Sequence, residues 1–123
     1  MGMTESPSAQ VFIADAFKRE ARHLKKRYRN LESDLQSLIA QLQNGDIPGD
    51  RIPGFADYSV YKVRVKNRDI RKGKSAGYRV IYQSLTPTVV VLLYLYVKSD
   101  QDDVTPDEIC AIIKKFQADP EAT

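Results

Sequence analysis

Hydrophobic residues in the first part of the chain recur with the spacing of two amphipathic helices. Residues three and four apart lie on the same side of a helix, so each stripe predicts one buried helix face. The two stripes are Phe17, Ala21, Leu24 and Tyr28, and then Leu31, Leu35, Leu38, Ile39 and Leu42. Asp15 and Asn30 are suitable N-caps, and Gly45 is a suitable stop. The pattern therefore predicts a helical hairpin.

A period of two marks the strands. Residues 10–14 are a short apolar run that predicts an edge strand. Three longer strands are expected where apolar and β-branched residues dominate, over residues 59–66, 78–84 and 89–98. Residues 86–88, Thr-Pro-Thr, form a tight turn, which makes the last two strands an antiparallel hairpin.

The end of the chain predicts a third helix. Thr105 is an N-cap, Pro106 occupies the first helical position, and Glu108 completes a capping box. The apolar face of this helix consists of Ile109, Ile112, Ile113 and Phe116.

Together these patterns predict an α+β fold. Its order is a short N-terminal strand, a helical hairpin, a three-stranded antiparallel sheet and a C-terminal helix. At 123 residues a single domain is expected. We assign it to residues 10–118, between flexible tails at residues 1–9 and 119–123.

Positive charge is concentrated in residues 58–82, which hold eight lysines and arginines and one acid, against a net charge of +3 for the whole chain. Here Tyr61, Val63 and Val65 alternate with Lys62, Arg64 and Lys66, so one strand face is apolar and the other cationic. Such alternation is also typical of any sheet with one solvated face. A second basic strand begins at Gly77-Tyr78-Arg79, and the loop between the strands adds further cations. This continuous basic surface favours a phosphate-rich partner.

Composition excludes several classes of site. One cysteine, Cys110, and one histidine, His23, allow neither an internal disulfide nor a cysteine or histidine zinc site, and we expect no metal and no cofactor. The longest apolar run, residues 89–97, is too short to span a bilayer, so no membrane partner is expected. The N-terminus lacks the apolar core of a signal peptide, so a cytoplasmic location is expected.

The element order and three sequence blocks, YKVRVKN, KGKSAGYRVIY and YLYVKSDQDD, resemble the RelE/HigB toxins of bacterial type II toxin–antitoxin modules. The resemblance covers residues 11–116. It implies a microbial-RNase-like fold and cleavage of messenger RNA, commonly in the ribosomal A site. It also implies neutralisation by a small antitoxin encoded nearby, expected to carry a helix-turn-helix pattern.

The resemblance also assigns roles in metal-independent RNA cleavage. Lys62 and Arg64 fall at the two basic positions of the first long strand, and Arg79 is the arginine of the GYR motif. We expect Arg79, on the solvated face of its strand, to contact the scissile phosphate through its planar fork. Lys62 is the candidate base, because neighbouring cations favour a neutral lysine. Arg64 stays protonated and would stabilise charge.

Further residues are expected to bind RNA or complete the site. The RNA-binding candidates are Lys66, Arg68, Arg71, Lys72, Lys74 and Tyr96. Tyr94, Tyr96 and Lys98 share one face of the last strand and are candidates for stacking on a base or donating a proton, and Lys98 is included among the catalytic candidates. The leaving-group acid stays unassigned, because Ser99 replaces an arginine found in several RelE proteins and no tyrosine follows Tyr96. Acidic residues after Ser99 could screen the basic face.

Two other classes of function stay open. ParE toxins share the fold and poison DNA gyrase by binding it, without nuclease activity. An inactive relative that only binds nucleic acid is the other alternative. The sequence does not define codon preference, ribosome dependence or oligomeric state.

Overall fold

The structure, a computed structural model, describes residues 8–55, 57–69, 77–101 and 103–118. The first half of the chain contains β1 (Gln10–Ile13), α1 (Asp15–Arg27), α2 (Leu31–Gln43) and β2 (Asp50–Arg51). The second half contains β3 (Val60–Val65), β4 (Tyr78–Thr86), β5 (Val89–Val97) and α3 (Pro106–Ala118). Of the expected tails, residues 1–7 and 119–123 lie outside the described residues.

The described strands form one sheet in the order β1-β5-β4-β3-β2. Strand β1 runs parallel to β5, and the other neighbours are antiparallel. The α+β fold and the three central strands are confirmed. The predicted edge strand is also confirmed, over residues 10–13. The expected three-stranded sheet is wrong in its strand count, because β1 and the two-residue β2 extend the sheet at its two edges.

Both faces of the sheet are covered. Helices α1 and α2 pack on one face, where Phe17 and Leu42 join Tyr78, Val80 and Tyr82 in a buried cluster. Helix α3 packs on the other face, through a cluster that contains Ile81, Val91, Leu93, Ile109 and Ile113. Because β5 is buried on both sides, its sequence VVVLLYLYV is a nearly continuous apolar run rather than an alternating one, and β4 has buried apolar side chains on both faces over residues 80–82.

A shift in register within the β4–β5 hairpin decides which β5 side chains face α3. Ile81 pairs with Tyr94, but Tyr82 pairs with Leu92, so one residue of β5 is left over. An extra residue of this kind lets two successive side chains turn to one face. Leu93 and Tyr94 accordingly both join the α3-side cluster.

The helix ends are stabilised largely as the sequence predicts. The Thr105 Oγ1 accepts from the Glu108 N–H at 3.2 Å while Glu108 Oε1 accepts from the Thr105 N–H at 3.1 Å, which confirms the capping box. Gly45 has φ 94° and ends α2, with its N–H donating to the Leu42 carbonyl at 3.0 Å. The expected cap at Asp15 is wrong: Asp15 is the first helical residue, and Ala14 occupies the cap position. Asn30 does occupy the cap position of α2, but its side chain binds Asp69 instead of the helix.

Candidate active site

Three strands bring their polar side chains into a single cross-strand row on the α3 side of the sheet. Arg64 of β3 pairs with Arg79 of β4, and Arg79 pairs in turn with Tyr96 of β5. Lys62 lies two residues before Arg64, and Lys98 lies two residues after Tyr96. Side chains two residues apart on a strand share a face. The antiparallel register thus gathers cations that are distant in sequence.

These side chains line one open cavity of about 460 Å³, which we call the cationic pocket. Its lining consists of Gly49, Asp50, Lys62, Arg64, Arg79, Tyr96 and Lys98. All four residues predicted to be catalytic therefore line it together. Four cations against the Asp50 and Asp103 carboxylates leave the pocket with a net positive charge, which suits a phosphodiester anion.

Arg79 lies at the centre of the row and is 5 % exposed. Its predicted place on the solvated face is wrong, because β4 is a central strand and the neighbours on both sides enclose its side chain. The guanidinium Nη1 donates to the Gly77 carbonyl at 3.2 Å and to the Tyr78 carbonyl at 3.4 Å. Burial and the neighbouring Arg64 charge both lower the pKa of Arg79 from its ordinary value. Two adjacent guanidiniums, one of them desolvated, are stabilised when an anion bridges them.

Tyr96 forms the third member of the row and is 3 % exposed. Its hydroxyl donates to Asp103 Oδ1 at 3.3 Å. Burial, together with the Asp103 carboxylate, raises the pKa of Tyr96 to about 12. The hydroxyl is therefore protonated at neutral pH, and its one proton is donated to Asp103 in this structure.

The same carboxylate contacts Lys62. Lys62 Nζ lies 3.2 Å from Asp103 Oδ1, so the candidate base is engaged in an ion pair in this structure. A substrate that uses Lys62 as a base must first displace this contact.

The segment 48–50 forms the wall of the pocket beside β3. The Tyr82 hydroxyl donates to the Pro48 carbonyl, and the Tyr82 ring stacks on Tyr61 with centroids 5.3 Å apart. Gly49 has φ +91°, and a Cβ there would collide with the Lys62 carbonyl oxygen. Only glycine allows this segment to approach the backbone of β3 so closely.

The candidate RNA-binding residues are divided between two places. Tyr96 is in the cationic pocket, whereas Lys66 and Arg68 line a second cavity of about 310 Å³ between α2 and β3. Arg64 lines both cavities, so they adjoin. Three more candidates, Arg71, Lys72 and Lys74, lie outside the described residues.

Arg68 is joined to α2. Its Nε donates to Asp34 Oδ1 at 2.6 Å and its backbone N–H to Asp34 Oδ2 at 3.0 Å, and the Asp34 side chain is only 2 % exposed. This contact fixes the end of the β3 segment to the helix layer. The structural role of Arg68 is this contact with Asp34. Its role in RNA binding stays a prediction.

We expect Arg68→Ala to destabilise the protein by about 1–3 kcal/mol, because the buried Asp34 carboxylate would lose its charged donor. Lys66→Ala is the matched control, since it removes an exposed cation two residues away and should change stability by no more than about 0.5 kcal/mol. Urea denaturation of both variants measures the difference. Equal stability of the two variants would contradict the structural role of Arg68.

Sequence reasoning missed Gly49 and Asp50, and it did not single out Asp103 among the acids after Ser99 that it expected to screen the basic face. The two aspartates belong to a loop-like segment and to a run of acids, and neither pattern indicates a contact with Lys62. Among the described residues no three His, Cys, Asp or Glu side chains cluster in a way that could hold a metal ion. No helix within those ranges is long and apolar enough to cross a membrane.

Fold and site together define a small α+β protein with an anion-receptive pocket on one face of its sheet. The model of one family, the RelE toxin of the RelE/RelB toxin–antitoxin system, matches residues 9–119. Because this match covers most of the chain, the protein belongs to the RelE toxin family. It is thus a toxin of a toxin–antitoxin system, and RelE toxins pair with a RelB-type antitoxin. Among curated proteins, no sequence matches the chain significantly.

Proposed function

We propose that this toxin is a metal-independent endoribonuclease that cleaves messenger RNA on the ribosome and so inhibits translation. The observation that carries the proposal is the pairing of Arg64 with the buried Arg79 in one cross-strand row. Arg64 is exposed and Arg79 is buried, and the positive charge of Arg64 disfavours the charged form of its buried neighbour. A phosphodiester that bridges them relieves the repulsion, and it does so more strongly as negative charge develops during cleavage.

The remaining lining residues supply the other requirements of the reaction. The ribose 2′-oxygen attacks phosphorus, the P–O2′ bond forms and the P–O5′ bond breaks. A base takes the proton of the 2′-hydroxyl, and an acid gives a proton to the departing 5′-oxygen. In our proposal Lys62 is the base, after phosphate has displaced Asp103 from it.

Tyr96 and Lys98 are the candidates for the leaving-group acid. Tyr96 has its proton at neutral pH, and Lys98 follows on the same strand face. Arg79 and Arg64 neutralise the charge on the phosphate throughout. The proposed substrate, messenger RNA in the ribosome, rests on family membership and not on the pocket itself, which accommodates any phosphodiester.

We expect expression of the protein without its antitoxin to arrest growth through loss of translation. Co-expression of a small RelB-type antitoxin encoded beside the toxin should restore growth. Pulse labelling with an amino acid measures translation, and primer extension on a translated message maps any cut. Normal growth at confirmed expression of folded protein would contradict the proposal.

The same experiment separates the alternatives. Discrete cuts that need the ribosome support the proposed nuclease. Arrested growth with intact message and inhibited DNA gyrase would instead indicate a ParE-like binding toxin. Binding of RNA without cuts and without arrest would indicate an inactive relative. A toxin that carries Arg79→Ala serves as the control for effects of overexpression.

A further inference from the structure

A single carboxylate oxygen joins two candidate groups of the cationic pocket. Asp103 lies in the segment between β5 and α3, and its Oδ1 accepts from Lys62 Nζ at 3.2 Å and from the Tyr96 hydroxyl at 3.3 Å. The same oxygen accepts the backbone N–H of Val104 at 2.9 Å. Three donors from three places in the chain thus converge on one atom.

Contacts made by Gln101 and Val104 hold the backbone around Asp103, so the fold itself places the Asp103 carboxylate. The Gln101 side-chain amide donates to the Asp103 carbonyl at 2.9 Å. Val104 is buried in the core cluster under α3, and Thr105 begins the capping box. A carboxylate whose backbone is anchored in this way can orient mobile partners, whereas a carboxylate on a loose tail cannot.

The charge of Asp103 determines how it acts on Lys62 and Tyr96. Burial alone would raise the pKa of Asp103, but the Val104 N–H and the Lys62 ammonium outweigh burial and hold it below its ordinary value. Asp103 is therefore an anion at neutral pH. It attracts the flexible Lys62 side chain and accepts the hydrogen bond that directs the Tyr96 hydroxyl.

We propose that Asp103 is a positioning residue of the nuclease site: before substrate binds it holds the Lys62 amino group and the Tyr96 hydroxyl beside the place of the phosphodiester, and it releases them to the substrate when the phosphate enters. This inference rests on the proposed nuclease function. Because Asp103 is anionic, it also competes with phosphate for Lys62. Its loss should therefore weaken catalysis while it strengthens RNA binding, a combination that a purely structural residue would not produce.

The kinetic test compares Asp103→Ala with Asp107→Asn, which removes the same charge from the exposed first turn of α3. We expect Asp103→Ala to lower kcat about 10- to 100-fold, the range for small misplacement of reacting groups. Its affinity for a non-cleavable 2′-O-methyl RNA should rise roughly 2- to 5-fold, the range for an exposed ion pair. Asp107→Asn should match the wild type in both. Asp103→Asn, which keeps the acceptor but not the charge, should recover part of kcat.

A second measurement does not depend on catalysis. In protein labelled with ¹³C at the tyrosine ring, the Cζ signal of Tyr96, assigned with Tyr96→Phe, reports its hydroxyl hydrogen bond. We expect Asp103→Ala to shift this signal and Asp107→Asn to leave it in place. An unshifted Tyr96 signal, or a kcat equal to that of the wild type, would overturn the proposal. If the wild type cleaves no RNA but the signal shifts, the nuclease function fails while the contact stands.

Discussion

Replacing Arg79 with alanine should lower kcat for RNA cleavage by about 10²–10³, the usual loss when one charge-stabilising donor is removed. Arg79 is the innermost cation of the pocket, and only 5 % of it is exposed. In such a desolvated place, a charge acts on phosphate more strongly than it would at the surface. Arg79→Lys should recover only part of the loss, because a point charge replaces a two-pronged donor.

The control for this experiment is Arg22→Ala, which removes an exposed arginine from α1 on the opposite face of the sheet. It should leave cleavage unchanged. Since Arg79 is buried, its replacement is also expected to lower the melting temperature, so single-turnover rates must be measured per folded molecule and well below the transition. Cleavage equal to that of wild type in folded Arg79→Ala would remove Arg79 from the site and with it the main support for a nuclease.

The sequence predicted the secondary structure well wherever a periodic pattern extended over a full element. The stripes of α1 and α2 and the capping box at Thr105 are local signals, and the structure confirms them. Strand β2 was missed because two residues cannot display a period of two. It exists through its pairing with β3, where Asp50 lies opposite Lys62, and such pairing is a tertiary property.

The sequence predicted several residues of the site, by alternation and by the family resemblance, but not how the strands arrange them. Lys62 and Arg64 followed from the pattern of a single strand, whereas the Arg64–Arg79–Tyr96 row depends on the register between three strands. The burial of Arg79 follows from the central position of β4, which no local pattern indicates. Asp103 and Lys62 are 41 positions apart in the sequence, so no local sequence motif indicates their contact.

The sequence of β5 does not show which of its side chains face α3, because both faces are buried and the register is irregular. The run VVVLLYLYV has no alternation, since both of its faces are buried. Leu93 is the extra residue at the register shift. As a result Tyr94 and Tyr96 face α3, whereas Leu92 and Leu95 face α1 and α2. Tyr94 and Tyr96 share the α3 face, as the sequence predicted, but of the two only Tyr96 lines the pocket.

Replacing Gly49 with alanine should damage both stability and activity. The new Cβ would collide with the Lys62 carbonyl oxygen and lie 2.8 Å from Val63 Cβ. Backbone cannot yield as a flexible side chain does, so segment 48–50 or β3 must move. The left-handed conformation costs about 1–2 kcal/mol, and overpacking adds roughly 1–3 kcal/mol. Because Lys62 and Arg64 belong to the strand that is displaced, kcat should fall about 10²-fold.

Gly54→Ala is the matched control, because Gly54 has φ +92°, nearly the φ of Gly49, but nothing within 4 Å of the position of its Cβ. It carries the conformational penalty without the collision, so the difference between the two variants isolates the close approach to β3. Urea denaturation gives the stability difference, and single-turnover cleavage of the folded fraction gives the effect on the pocket. If the Gly49 and Gly54 variants were equally stable and equally active, segment 48–50 would not be what holds Lys62 in position, and the pocket wall would have to be assigned elsewhere.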